Sequence, residues 1–198
     1  MAGDLCEKAI FTLAEECKAL MIVDEAHSAG VLGKHLLGIF EYHDITITPR
    51  HIKMGTLGKA YGSYGAYILA SEQLISFLVN RAKPIIYSTA PSLFDTALAY
   101  VNLKHIQKQH KAYHKRIRKQ QKLVKKILGI HCPSLILPIE VSDNQKTQTL
   151  QAKLIEKGYL VGAIRQPTVK KPIMRVILNV RVSEERLREV LVFLGDKG

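Results

Sequence analysis

Apolar positions along the chain switch repeatedly between helical and extended spacing. Cys6, Ile10, Leu13, Cys17 and Leu20 recur at helical intervals behind Asp4 and Glu7, a capping pair, so a surface helix packed on a sheet is expected to run to about Leu20. The run A-L-M-I-V-D-E-A-H that follows is continuously apolar until Asp24, the pattern of a strand buried on both faces of a parallel sheet. Such a strand ends where open α/β sheets bind ligands. Alternation in I-T-I-T and H-I-K-M predicts strands between Ile45 and Met54, and Y-G-A-Y-I-L-A predicts another from Tyr64 to Ala70. Ser71 then caps a short helix with Leu74, Ile75, Leu78 and Val79 on one side, and Pro84 closes that region.

From Ser92 to Leu128 the period is helical, as one long helix or two end to end, with Leu98, Val101, Leu103, Ile106, Ile117, Leu123, Val124 and Ile127 as the apolar face. After Gly129 the pattern changes. Leu135 to Val141 and Met174 to Val180 read as strands, Asn144 to Glu156 as a helix stopped by Gly158, and Ser183 as the cap of a final helix carrying Leu187, Val190, Leu191 and Leu194. The fold class expected is α/β, with a small α/β domain at the carboxyl end.

One lysine stands out within this pattern. Lys59 lies in M-G-T-L-G-K-A-Y-G-S-Y-G-A, among Gly55, Gly58, Gly62 and Gly65, between two expected strands. Such a loop suits either a phosphate-binding lysine or a Schiff-base nucleophile. The phosphate loop fails on spacing, because it needs glycine where Lys53 stands and Ser or Thr where Ala60 stands. Asp24 and His27 end the preceding strand, and a buried carboxylate there calls for a cationic partner. D-E-A-H also spells the metal-binding box of one helicase group, but nothing downstream in such a protein explains G-T-L-G-K. His110 and His114 are four apart on the long helix without an evident third ligand, so no metal site is expected.

The formal net charge is +12, with pI ≈ 9.6, and no acid occurs between Lys104 and Lys126. Aromatic residues are sparse there, so a solvated helix face explains the charge better than a nucleic-acid footprint does. Mean hydropathy is +0.02 and no apolar run is long enough for a membrane span. The acidic start does not resemble a signal peptide, and a cytoplasmic protein is expected. Cys6, Cys17 and Cys132 show no C-x-x-C spacing and read as buried free thiols without chemical function.

D-E-A-H-S-A-G-V-L-G, G-T-L-G-K-A-Y-G, Y-S-T-A-P and G-Y-L-V-G-A-I-R-Q-P-T-V together resemble the α-oxoamine synthases, pyridoxal-phosphate enzymes of the aspartate-aminotransferase fold, over essentially the whole chain. The resemblance implies that residues 1–91 are the later part of the cofactor domain, 92–128 a connecting helix and 129–198 the small domain. It implies that Lys59 bonds the aldehyde of pyridoxal 5'-phosphate and shuttles the substrate α-proton, that Asp24 pairs with the pyridine nitrogen, and that His27 bonds the phenolic oxygen. Thr56 is implied at the phosphate, and Ser88 and Thr89 at the phosphate of a neighbouring subunit, hence a homodimer. Thr168 is implied as a substrate contact and Arg175 as the carboxylate clamp, although the loop from Val169 to Met174 is shorter than the family's and Gln166 stands where it has proline. The implied reaction is decarboxylative condensation of L-alanine with a pimeloyl thioester, on CoA or a carrier protein, giving 8-amino-7-oxononanoate for biotin formation. Sister reactions, such as the glycine C-acetyltransferase or 5-aminolevulinate synthase type, differ mainly in residues upstream. Family members carry a comparable length of chain before this point, with a stacking histidine and a glycine-rich phosphate contact, so the chain is expected to be a carboxyl-terminal half. An inactive fragment that needs an amino-terminal half is the alternative.

Overall fold

The computed structural model describes residues 5–196, which form two compact units divided between His114 and Lys115. Asp4, expected as a helix cap, lies outside the described residues. In the first unit α1 (Lys8–Glu16) precedes β1 (Met21–Asp24), α2 (Ile39–His43), β2 (His51–Thr56), β3 (Ala66–Leu69), α3 (Glu72–Arg81) and α4 (Lys83–Ile86). The sheet order is β1-β2-β3, with β1 parallel and β3 antiparallel to β2.

Helix α1 stops earlier than Leu20 because Lys18 turns left-handed (φ 52°), and its buried residue is Phe11, not the expected stripe. Ile10 and Leu13 are exposed, whereas Phe11 packs edge-on against Phe40 at 5.3 Å. Strand β1 is parallel as expected but covered on one face only: Val23 is buried while Ile22 is 73% exposed. The I-T-I-T alternation forms no strand, and β2 starts at His51. Ser71 accepts the Leu74 N–H (3.4 Å) and caps α3 as expected, but Pro84 sits in the first turn of α4 and starts a helix there.

Helix α5 (Leu93–Leu128) is one continuous helix. In the first unit it buries Ala99 and half-buries Leu98, Leu103 and Ile106; Val101, expected on that face, is 60% exposed. In the second unit its end buries Ile117, Leu123 and Val124. There β4 (Ile136–Glu140), α6 (Asn144–Glu156), β5 (Gly162–Ile164), β6 (Ile173–Ile177) and α7 (Glu184–Gly195) follow, with the antiparallel sheet order β4-β6-β5. Its core joins Leu123, Val124, Leu137, Leu154, Met174, Leu178, Leu191 and Leu194. Of the three thiols only Cys132 is buried, and Cys17 is exposed.

Candidate active site

Sheet register sorts the candidate residues by face. Val23, Lys53 and Leu69 are neighbours on one face, with Tyr67 opposite Gly55; Ile22, Asp24, Met54, Thr56 and Ile68 lie on the other. Asp24 and Thr56 thus share a face at the carboxyl ends of two adjacent parallel strands, the end at which open sheets take ligands. The backbone after Asp24 is held tightly. Glu25 N–H donates to Met54 O (2.7 Å), Glu25 O receives the N–H groups of Ser28 (3.1 Å) and Ala29 (3.0 Å), and Asp24 Oδ1 accepts from Ala26 N–H (2.8 Å). This turn carries His27, which is exposed, and Asp24 is exposed too rather than buried as expected, because alternation turns the next carboxylate, Glu25, inward instead.

Lys59 lies in the connection from β2 to β3. Thr56 Oγ1 donates to Gly65 O (3.2 Å) and accepts from Gly58 N–H (3.3 Å), so its hydroxyl laces the mouth of the loop. Ser63 donates to Asp95 O (2.6 Å) and Asn102 to Tyr61 O (2.7 Å), fastening the far side to α5. The lysine side chain is exposed, and none of the ion pairs among the described residues engages it.

The two loops touch. A Cβ built on Gly30 would fall 2.4 Å from Ala60 Cβ, so the end of the Asp24–His27 turn is pressed against the residue after Lys59. Ala29, Tyr61 and Ala99 form one small core with Leu57 and Tyr67 behind this contact. Gly55 makes room for an aromatic ring, since a Cβ there would meet Tyr67 at 2.3 Å.

On the covered face lies a polar cluster with no counterpart among the expected site residues. Glu25 is fully buried, and its Oε2 receives Ser28 Oγ (3.1 Å) and lies 3.2 Å from Lys53 Nζ. Burial pushes the phenols of Tyr61 and Tyr67 upward, Tyr67 more strongly, and the Glu25 charge adds to both. A cavity of ≈ 680 Å³ opens here, lined by Phe40, Lys53, Tyr61, Tyr67 and Tyr100 among others. It is on the face away from Asp24.

Ser88 and Thr89 are exposed beyond α4, Ser88 donating to Ile85 O (2.9 Å). Thr168 and Arg175 belong to the second unit. Thr168 follows a cis Gln166–Pro167 bond, and Arg175, on β6 between Pro138 and Gly162, has a buried Nε without a hydrogen-bond partner. A guanidinium with unused donor capacity is suited to an anion. The residues of the first unit likewise fit pyridoxal phosphate: an unpaired exposed amine on Lys59, an exposed carboxylate on Asp24, an imidazole on His27 and a hydroxyl-bearing loop, with Gly30 against Ala60 holding them together. Among the described residues no group of three His, Cys, Asp or Glu could hold a metal ion, and no helix is long and apolar enough to cross a membrane.

The family model for class I and II aminotransferases matches residues 6–194. An 8-amino-7-oxononanoate synthase from Helicobacter pylori is 44% identical over 184 residues, which cover 93% of this chain and 49% of that protein. The crystal structure of 8-amino-7-oxononanoate synthase from Francisella tularensis superimposes with a TM-score of 0.84 at 25% identity, over 97% of this chain and 58% of the other. A serine palmitoyltransferase from Sphingomonas wittichii shares the fold, with a TM-score of 0.86 at 20% identity over 100% of this chain and 52% of the other. The chain spans about half the length of the curated relatives it matches.

Proposed function

Because the chain belongs to the class I and II aminotransferase family, we propose that it carries the lysine-bearing part of a pyridoxal-phosphate-dependent acyltransferase. The reaction is condensation of L-alanine with a pimeloyl thioester, with loss of carbon dioxide, to 8-amino-7-oxononanoate. Support for the substrates comes from relatives named for that product. The observation that carries the chemistry is the contact of Gly30 with Ala60, which sets the Asp24–His27 turn beside the Lys59 loop.

Bound there, the cofactor supplies an aldehyde for an amine and a pyridinium ring that draws electrons from the substrate α-carbon. Lys59 provides that amine and then moves the proton at the substrate Cα. Asp24 holds the proton on the ring nitrogen, and His27 hydrogen-bonds the phenolic oxygen. Thr56 keeps the loop closed beside the phosphate, and Ser88 and Thr89 reach the phosphate held by a second subunit, so the working form is a homodimer in the cytoplasm. Thr168 and Arg175 bind the amino-acid substrate, Arg175 through its carboxylate.

The test is to add pyridoxal phosphate to the purified chain, follow the visible absorption band of the lysine-bound cofactor, reduce with borohydride and map the modified lysine by mass spectrometry. Modification confined to Lys59, absent in Lys59→Ala, is expected. Modification scattered over the chain's other lysines, or none, would overturn the reading. L-alanine and pimeloyl-CoA added to the loaded chain should then release carbon dioxide.

A further inference from the structure

We propose that the buried Glu25–Lys53 pair is a positioning device for the candidate active site, fixing the Asp24–His27 turn and the Lys59 loop from the covered face of the sheet. This deepens the reading just given and rests on it only for the cofactor readout.

The geometry begins with alternation. Asp24 ends β1 on the open face, and Glu25 turns inward, fully buried. Its Oε2 is gripped from three sides: Ser28 Oγ at 3.1 Å, Lys53 Nζ at 3.2 Å, and Gly38, where a Cβ would fall 1.7 Å from the same oxygen. Lys53, on β2 one residue from the partner of Asp24, also donates to Leu37 O (3.0 Å). The pair thereby ties together the end of β1, the middle of β2 and the start of α2. Toward the other loop the same carboxylate faces Tyr61, which follows Lys59 after one intervening residue, and Tyr67, whose ring covers Gly55; its charge contributes to the raised values of both phenols. Because Glu25 and Asp24 are consecutive, fixing one side chain inward fixes the direction of the other outward.

Stability alone is a poor explanation for such a pair. Desolvating two charges offsets their attraction, and replacing a buried pair by apolar residues of similar volume is often neutral. Here the geometry is also incomplete, since Glu25 Oε1 has no hydrogen-bond partner. What the pair provides that apolar residues would not is direction: one fixed rotamer at the residue between the strand end and the His27 turn.

The experiment compares the parent chain with Glu25→Leu/Lys53→Met, which removes both charges together, by amide hydrogen exchange without cofactor and by pyridoxal phosphate titration over a range of pH. Expected are faster exchange, by about tenfold, in residues 24–30 and 57–63 with unchanged exchange in the unit beyond Lys115, about tenfold weaker cofactor binding, and a displaced pH profile of the visible band. Parent-like exchange in both loops overturns the proposal. So does parent-like cofactor binding with an unmoved pH profile, because a merely structural pair would behave in that way. If the parent itself takes up no cofactor, the functional reading falls and the exchange comparison alone decides the positioning role. Should the double variant not fold, Glu25→Gln keeps the shape and loses the charge; about threefold changes in the same readouts are expected, and parent-like values overturn the proposal.

Discussion

Single positions carry two predictions that depend on contacts rather than on residue type. Gly55→Ala places a methyl group 2.3 Å from the Tyr67 ring, and overpacking of that kind costs about 1–3 kcal/mol. Urea unfolding should show it, and Tyr67→Ala in the same chain should restore part of the loss; an unchanged midpoint would show that the ring moves freely. Cys132, whose thiol burial pushes up to about 11, should resist alkylation at pH 8 until the chain unfolds, whereas exposed Cys17 reacts at once. Equal rates for the two would place Cys132 in solvent. Lys59, Asp24 and His27 stand out in the sequence because their types and order suit one chemistry, and the fold sets their two loops side by side. The role of Gly55 is not legible in the sequence, since a glycine that admits an aromatic ring looks the same there as one that admits a ligand. Glu25 is not legible in the sequence although strand alternation turns it away from Asp24, because its partner Lys53 reaches it only through the parallel pairing of β1 with β2.

Elements were legible where local chemistry decides them. Ser183 caps α7 through Arg186 N–H (3.3 Å), and Ser183→Ala should destabilise the second unit by about 1 kcal/mol in denaturant titration, a shift absent from the exchange of β1 and β2. The apolar stripe of α7 was equally plain, and Leu187, Val190, Leu191 and Leu194 are all buried. Strand β5 was missed because three residues, G-A-I, give no period, and its identity depends on pairing with β6. The start of α2 depends on Glu41. Burial would raise this carboxyl, but N–H groups of Leu37 and His35 and the His35 ring outweigh it and hold it below the usual carboxylate range. A lowered folded value means that the stabilisation is present above the ordinary carboxylate pKa, ~4.3, and is lost as pH falls through the lowered value. Protection of the amides in residues 33–38, relative to their intrinsic exchange rates at each pH, should therefore fall on acidification across that window, and Glu41→Gln should remove that pH dependence of protection. An acid-insensitive parent loop would contradict the role given to Glu41.

At the scale of the whole molecule, charge was readable and coverage was not. Ten lysines and arginines follow one helix between Lys104 and Lys126, where aromatics are few; their repulsion keeps chains apart at low salt. Against that repulsion stands the open face of the first sheet, where Ile22 is 73% and Ile68 40% exposed beside Met54. A continuous apolar run such as A-L-M-I-V reads as buried on both faces, and only the folded chain reveals that Ile22 stays exposed on one of them. Exposed apolar surface of this kind drives association. The two tendencies oppose each other, and salt screens only the first, over about 8–10 Å near physiological ionic strength. Light scattering should therefore rise with added salt at fixed protein concentration, and Ile22→Ser/Ile68→Ser, which leaves the charge untouched, should suppress the rise. Scattering that falls with salt would mean that charge pairing, not the bare sheet face, holds the associated chains together.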